Sequence, residues 1–126
     1  MIKLSFLAAA AFAVAAPALA APPPFQQFND TCSPCHQRNG VGVKGAFPAL
    51  AGNPFVQGDG VAVAKVVLNG RAGMPSFKDD LSDAELATIL TYVRTSWGNK
   101  GKAVTPAMVA TARAGKVQNV RGLQAH

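Results

Sequence analysis

After Glu85 the 126-residue sequence contains no acidic residue. It also has only two cysteines, two histidines, one tryptophan and one tyrosine. Each scarcity excludes something. Two cysteines cannot staple a disulfide-rich scaffold. Few aromatics leave a modest core, a gap that a large bound apolar group would fill. Basic residues without interleaved aromatics argue against nucleic acid as a partner. Past the first twenty residues no apolar run approaches the ~20 positions that a bilayer span needs, so no stable membrane span is expected in the mature chain.

The opening MIKLSFLAAAAFAVAAPALA has the layout of a secretory signal peptide. Lys3 supplies the positive start, residues 4–16 the apolar run, and Ala18-Leu19-Ala20 the small-x-small ending. Cleavage is expected after Ala20, because a cut after Ala21 would leave Pro22 next to it. The expected organisation is a signal peptide over 1–20, one domain over 21–99 and a basic C-terminal extension over 100–126. Within 21–99 the bases and acids balance. The remaining positive charges are Lys100, Lys102, Arg113, Lys116 and Arg121, which describes a solvated basic tail and not a basic fold.

The elements read as helices. Pro24 can open a first helix, in which Phe25 and Phe28 share a face. Residues 37–60 are rich in glycine and keep neither helical nor strand periodicity, so they read as a long wrapping loop. Residues 60–70 read as a short helix, capped by Asp59 or Gly60 and closed by Gly70 in a left-handed conformation. Residues 81–99 give the clearest helix. Ser82 and Glu85 form a capping box, and Leu81 and Leu86 a hydrophobic staple. Leu86, Ile89, Leu90, Val93 and Trp97 make one apolar stripe, with Gly98 just past the end. A short tail helix, about 107–114, begins after Thr105-Pro106. Met108 lies on it, beyond the main core.

The chemistry sits in CSPCH, residues 32–36. A thioredoxin-like dithiol needs a βαβ setting, and no strand pattern precedes Cys32. A zinc site needs about four ligands, and beyond Cys32, Cys35 and His36 only His126 remains. Covalent haem attachment needs two thiols for two vinyl groups and an adjacent imidazole for iron, all of which C-x-x-C-H supplies on one turn. Export places the chain where such attachment occurs. Haem c, bound through Cys32 and Cys35 with His36 on iron through Nε2, is therefore the expected cofactor. The other imidazole nitrogen would donate to a carbonyl. Pro48, in GAFPAL, is the candidate.

With CSPCH, a Gly/Pro loop, GMP and a capped terminal helix, the chain resembles class I c-type cytochromes. GVGVKGAFPALAGNP and TYVRTSWGN are most similar to cytochrome domains that serve periplasmic quinoprotein dehydrogenases. The resemblance implies an all-α cytochrome c fold, with about three core helices, a long Gly/Pro loop around one haem and a short tail helix. It implies Met74 of GMP as the second iron ligand, in preference to Met108, and a proline carbonyl for His36. Its first and last helices meet through aromatics, which puts Phe28 against Tyr92 or Val93, with Phe25 and Trp97 also in the core. Arg71, three residues before Met74, is a candidate partner for a haem propionate. The function implied is periplasmic one-electron transfer between redox proteins, a dehydrogenase and a terminal oxidase or reductase among them. Alternatives are a tightly bound relay subunit of a dehydrogenase complex and a five-coordinate haem sensor or peroxidase-like protein.

Overall fold

The structure, a computed structural model, describes residues 10–115. Lys3, Lys116, Arg121 and His126 lie outside them. Six helices follow in order: α1 (Pro24–Thr31), α2 (Ser33–His36), α3 (Pro54–Gln57), α4 (Gly60–Asn69), α5 (Asp83–Thr95) and α6 (Pro106–Arg113). Among the described residues there is no strand, only isolated bridges at Val43–Phe47 and Arg71–Met74. The fold is all-α.

Local chemistry sets the helix ends. Pro24 occupies the first turn of α1, where a missing N–H costs no helical bond. The Asp59 carboxylate accepts from Val61 N at 2.9 Å and starts α4. Gly70 ends α4 with φ 74° and ψ 170°, positive in φ as expected but extended in ψ. A side chain there would meet the Met74 carbonyl oxygen at 2.6 Å, so glycine is required by close approach. The capping box of α5 is complete: Glu85 N donates to Ser82 Oγ at 3.2 Å, and Ser82 N to Glu85 Oε2 at 2.9 Å.

α5 is the element both halves of the core share. Leu86, Ala87 and Leu90 pack with Val63, Ala64 and Leu68 of α4 and with Val109 and Ala112 of α6. Ile89 and Val93 pack instead with Phe28 of α1 and Val56 of α3, against which Cys32, Leu50, Tyr92 and Trp97 also lie. The second cluster therefore borders the CSPCH turn.

Four expectations change. Residues 37–60 contain α3, because Asn53 Oδ1 accepts from Phe55 N and Val56 N while Pro54 fills the first position. α5 stops at Thr95; Ser96 is extended and Trp97 turns to φ 54°. Trp97 thereby leaves the helical stripe, with its ring centroid 5.2 Å from Phe28 and 5.7 Å from Tyr92. Phe28 is fully buried and Phe25 is half-exposed, although both were expected inside. Three helical positions turn through 300°, which leaves Phe25 about 60° off the line that Phe28 buries. Finally, residues 100–115 are not a solvated tail. Val104, Val109 and Ala112 belong to the core, Met108 packs against it, and Arg113 Nε donates to Asp83 Oδ1 at 2.9 Å.

Candidate haem site

His36 ends α2, and its Nδ1 lies 2.9 Å from the Pro48 carbonyl oxygen. A carbonyl oxygen can only accept, so Nδ1 carries the proton. That fixes the neutral tautomer in which Nε2 presents a lone pair, the form a metal takes.

The backbone around this bond is tightly determined. Gly42 N donates to the His36 carbonyl at 3.0 Å, and Val43 and Phe47 exchange N–H···O bonds at 2.8 Å each. Gly42 has φ +63°, and a Cβ on it would stand 2.3 Å from the Phe47 oxygen and 2.6 Å from the Pro48 oxygen. Only glycine lets this strand of chain lie against the carbonyl that meets His36. Gly40 accepts from Leu50 N and Ala51 N at 2.7 and 2.9 Å. A Cβ on Gly40 would strike the Trp97 ring at 2.5 Å.

Met74 lies in a second turn. Arg71 N donates to the Met74 carbonyl at 3.1 Å and Met74 N to that of Arg71 at 2.9 Å. Ala72 takes φ 50° to close the turn. Across residues 71–76 every residue but Met74 is exposed, and Met74 is partly buried. Phe77 N donates to the Val67 carbonyl at 3.1 Å, and the Ser76 hydroxyl donates to the Leu68 carbonyl, which ties the turn to the end of α4. The structure thus brings His36 to Pro48 and, through backbone alone, Arg71 to Met74. The Arg71 side chain is exposed.

Cys32 and Cys35 are unpaired and partly buried. Burial, with the neighbouring Cys35 adding to it, pushes the Cys32 thiol up to about 12. A redox dithiol depends on a thiol shifted the other way, so this turn is a poor exchange site. Among the described residues no three His, Cys, Asp or Glu side chains gather as a zinc site would require. Attachment of a porphyrin consumes both thiols and needs no thiolate at rest. The residues present fit that group. Two thiols and a tautomerically fixed imidazole occupy one turn. Val41, Val43, Phe47 and Phe55 stand exposed on the segment that follows, apolar surface suited to a flat apolar partner.

Residues 20–93 match the family described as cytochrome C oxidase, cbb3-type, subunit III. The chain belongs to this cytochrome c family. A cytochrome of this family carries covalently bound haem c, and Cys32 and Cys35 are the thiols placed for it. Among its relatives is the cytochrome c subunit of the quinone alcohol dehydrogenase of Gluconobacter oxydans, 40% identical over 54% of this chain and 17% of that protein. Cytochrome c-552 of Thermus thermophilus is 36% identical over 56% of the chain and 66% of its own length. Subunit CcoP of the cbb3-type oxidase of Azospirillum brasilense is 34% identical over 58% of the chain and 27% of its own. The chain therefore spans about a sixth of the dehydrogenase subunit it matches.

Three groups that hold the site escaped the sequence reading. Asn53 was legible, since Asn-Pro before an apolar pair is a helix-start signal. Arg94 and Asn99 gave no such signal. Arg94 looks like a surface charge on α5 but is only 2% exposed, and Asn99 looks like a loop residue but is buried.

Proposed function

We propose that the cytochrome is a one-electron carrier of the periplasm, in which His36 Nε2 and the Met74 sulfur would hold the haem iron. The observation that carries this reading is the His36–Pro48 hydrogen bond, which occupies Nδ1 and leaves Nε2 to bind a metal. Haem c, when bound, supplies reversible one-electron chemistry at iron. The chain's own part is to retain both ligands, so that few atoms move between oxidation states. Cys32 and Cys35 would hold the porphyrin beside His36. The Met74 turn, tied to α4 through Ser76 and Phe77, keeps the sulfur in place, and a thioether favours the reduced state. The role is transfer and not catalysis. Partners meet it over a small transient face, as redox encounters do. Similarity to dehydrogenase cytochrome subunits favours a second form of the same role, a bound relay inside a dehydrogenase complex. A terminal oxidase or reductase is the natural acceptor class.

The test is expression with export and haem-maturation machinery, followed by mass and optical spectra. The expected result is one haem per chain and a near-infrared sulfur-to-ferric-iron band. Met74→Ala removes that band and lets carbon monoxide bind without displacing a ligand. A wild-type protein that already binds carbon monoxide rapidly points to five-coordinate iron and overturns the carrier reading. Purification as a small free protein, or with a dehydrogenase, separates carrier from relay.

A further inference from the structure

We infer that Asn99 is a positioning residue for His36, acting through the loop that carries Pro48. The inference rests on the proposed ligation by His36. Asn99 follows α5 and is far from CSPCH in sequence, yet it is buried with both side-chain polar atoms engaged. Its Nδ2 donates to the Val93 carbonyl at 2.8 Å and to the Leu50 carbonyl at 3.1 Å. Its Oδ1 accepts from Gly52 N at 2.8 Å. One amide therefore ties the last turn of α5 to both sides of Ala51.

Asn53 closes the same loop locally, its Nδ2 donating to the Ala49 carbonyl at 2.9 Å and its N to that of Leu50 at 3.3 Å, but Asn99 is what ties the loop to α5. Pro48, Ala49 and Gly52 are exposed. Toward the N-terminus, the Val43–Phe47 bridge fixes the approach to Pro48. Toward the C-terminus, Leu50 and Ala51 hang from Gly40, which rests on Trp97, and Leu50 and Gly52 hang from Asn99. One residue, Ala49, separates Leu50 from Pro48, too little chain to absorb a shift at Leu50 without turning the Pro48 carbonyl. The line from Asn99 to the His36 proton thus runs through one covalent segment and two hydrogen bonds.

The consequence is electronic as well as structural. Donation from Nδ1 to a carbonyl gives the imidazole partial imidazolate character, which favours ferric iron at Nε2. Weakening that bond raises the reduction potential. The bond lies at the surface, so loosening the loop frees the Nδ1 proton to exchange with water.

The test compares Asn99→Ala and Asn99→Asp in the haem-loaded cytochrome. Asn99→Asp keeps an acceptor for Gly52 N but loses both donations, so it serves if the alanine variant does not fold. Gln57→Ala is the control, because it cuts the neighbouring ties from Lys100 N to Gln57 Oε1 and from Gln57 Nε2 to the Asn53 carbonyl and leaves the Asn99 bonds to Leu50 and Gly52 in place. Nuclear magnetic resonance of the reduced protein reads exchange of the His36 Nδ1 proton. The expected result is exchange roughly tenfold faster in both Asn99 variants. Their potentials rise and their sulfur–iron band is retained. Gln57→Ala moves neither reading, whatever it does to thermal stability. Exchange and potential that match the wild type in the Asn99 variants would falsify the inference. A wild-type protein without histidine and methionine on iron fails at the first spectrum, which sinks the ligand assignment and not the role of Asn99 alone.

Discussion

Arg94 shows how far a single side chain can hold this fold together. Its Nε donates to the Lys102 carbonyl at 2.8 Å, Nη1 to Val56 at 2.6 Å and Nη2 to Gly58 at 2.9 Å. Burial pushes its guanidinium below the ordinary arginine range, and Asp59 partly restores it. No carboxylate within ion-pair distance meets it among the described residues, so three carbonyl dipoles do the neutralising. A buried charge held chiefly by dipoles is costly to strand and costly to remove, because each carbonyl would lose its donor. Arg94→Met keeps the stem and deletes the fork, with an expected loss of about 2–4 kcal/mol after the relief of guanidinium burial is counted. Arg94→Lys recovers part of that, since one ammonium cannot span three separated acceptors. Urea unfolding of the haem-loaded protein, with unchanged denaturant slope, gives the order wild type, lysine, methionine. Equal stability of the three proteins would show that the carbonyls find water instead.

At the level of elements, what could be read from sequence was whatever local chemistry decides. α1, α4, α5 and α6 announce themselves through caps, first-turn prolines and apolar spacing, and CSPCH announces its chemistry through residue types. Trp97 did not, because its departure from α5 is decided by Phe28, Tyr92 and Gly40, contacts from other parts of the chain. Arg94 and Asn99 stayed hidden for the same reason: all but one of their acceptors lie tens of residues away or in irregular backbone. The α5 capping box was legible and has a pH signature. Hydrogen bonds from the Ser82 backbone, then its side chain, hold the Glu85 carboxyl below its ordinary value. A carboxyl depressed in the folded state adds stability above its unfolded value and loses it as pH falls through the folded one. Glu85→Gln should therefore unfold at lower temperature than the wild type near neutrality. The gap should close on acidification below the usual carboxylate range. A gap that persists at the acid end would mean that the glutamine lost packing and not charge.

For the whole molecule, the placement of α6 decides what the basic C-terminus can do. Thr91 Oγ1 donates to the Val104 carbonyl at 3.2 Å and accepts from Val104 N at 3.0 Å, clipping the connection to α5. Arg113 adds donations to the Lys78 and Leu81 carbonyls beside its pair with Asp83. Its charge is thus spent inside the fold. Lys100 and Lys102 remain exposed on the connection, and Lys116 and Arg121 follow α6. Trimming after Asn99 would strip Val104, Val109 and Ala112 from the core, and burial of such side chains is worth roughly 1–3 kcal/mol each. That truncation should fail to fold or unfold far below the wild type, so it cannot report on charge. Trimming after Gly115 removes Lys116 and Arg121 and leaves every described contact of α6 in place. If these charges steer an acidic redox partner, its electron-exchange rate should fall at low salt and its salt dependence should flatten, with thermal stability unchanged. Stopped-flow exchange with an acidic acceptor across an ionic-strength series measures both. An unaltered salt slope would leave Lys100 and Lys102, on the packed connection, as the charges that matter.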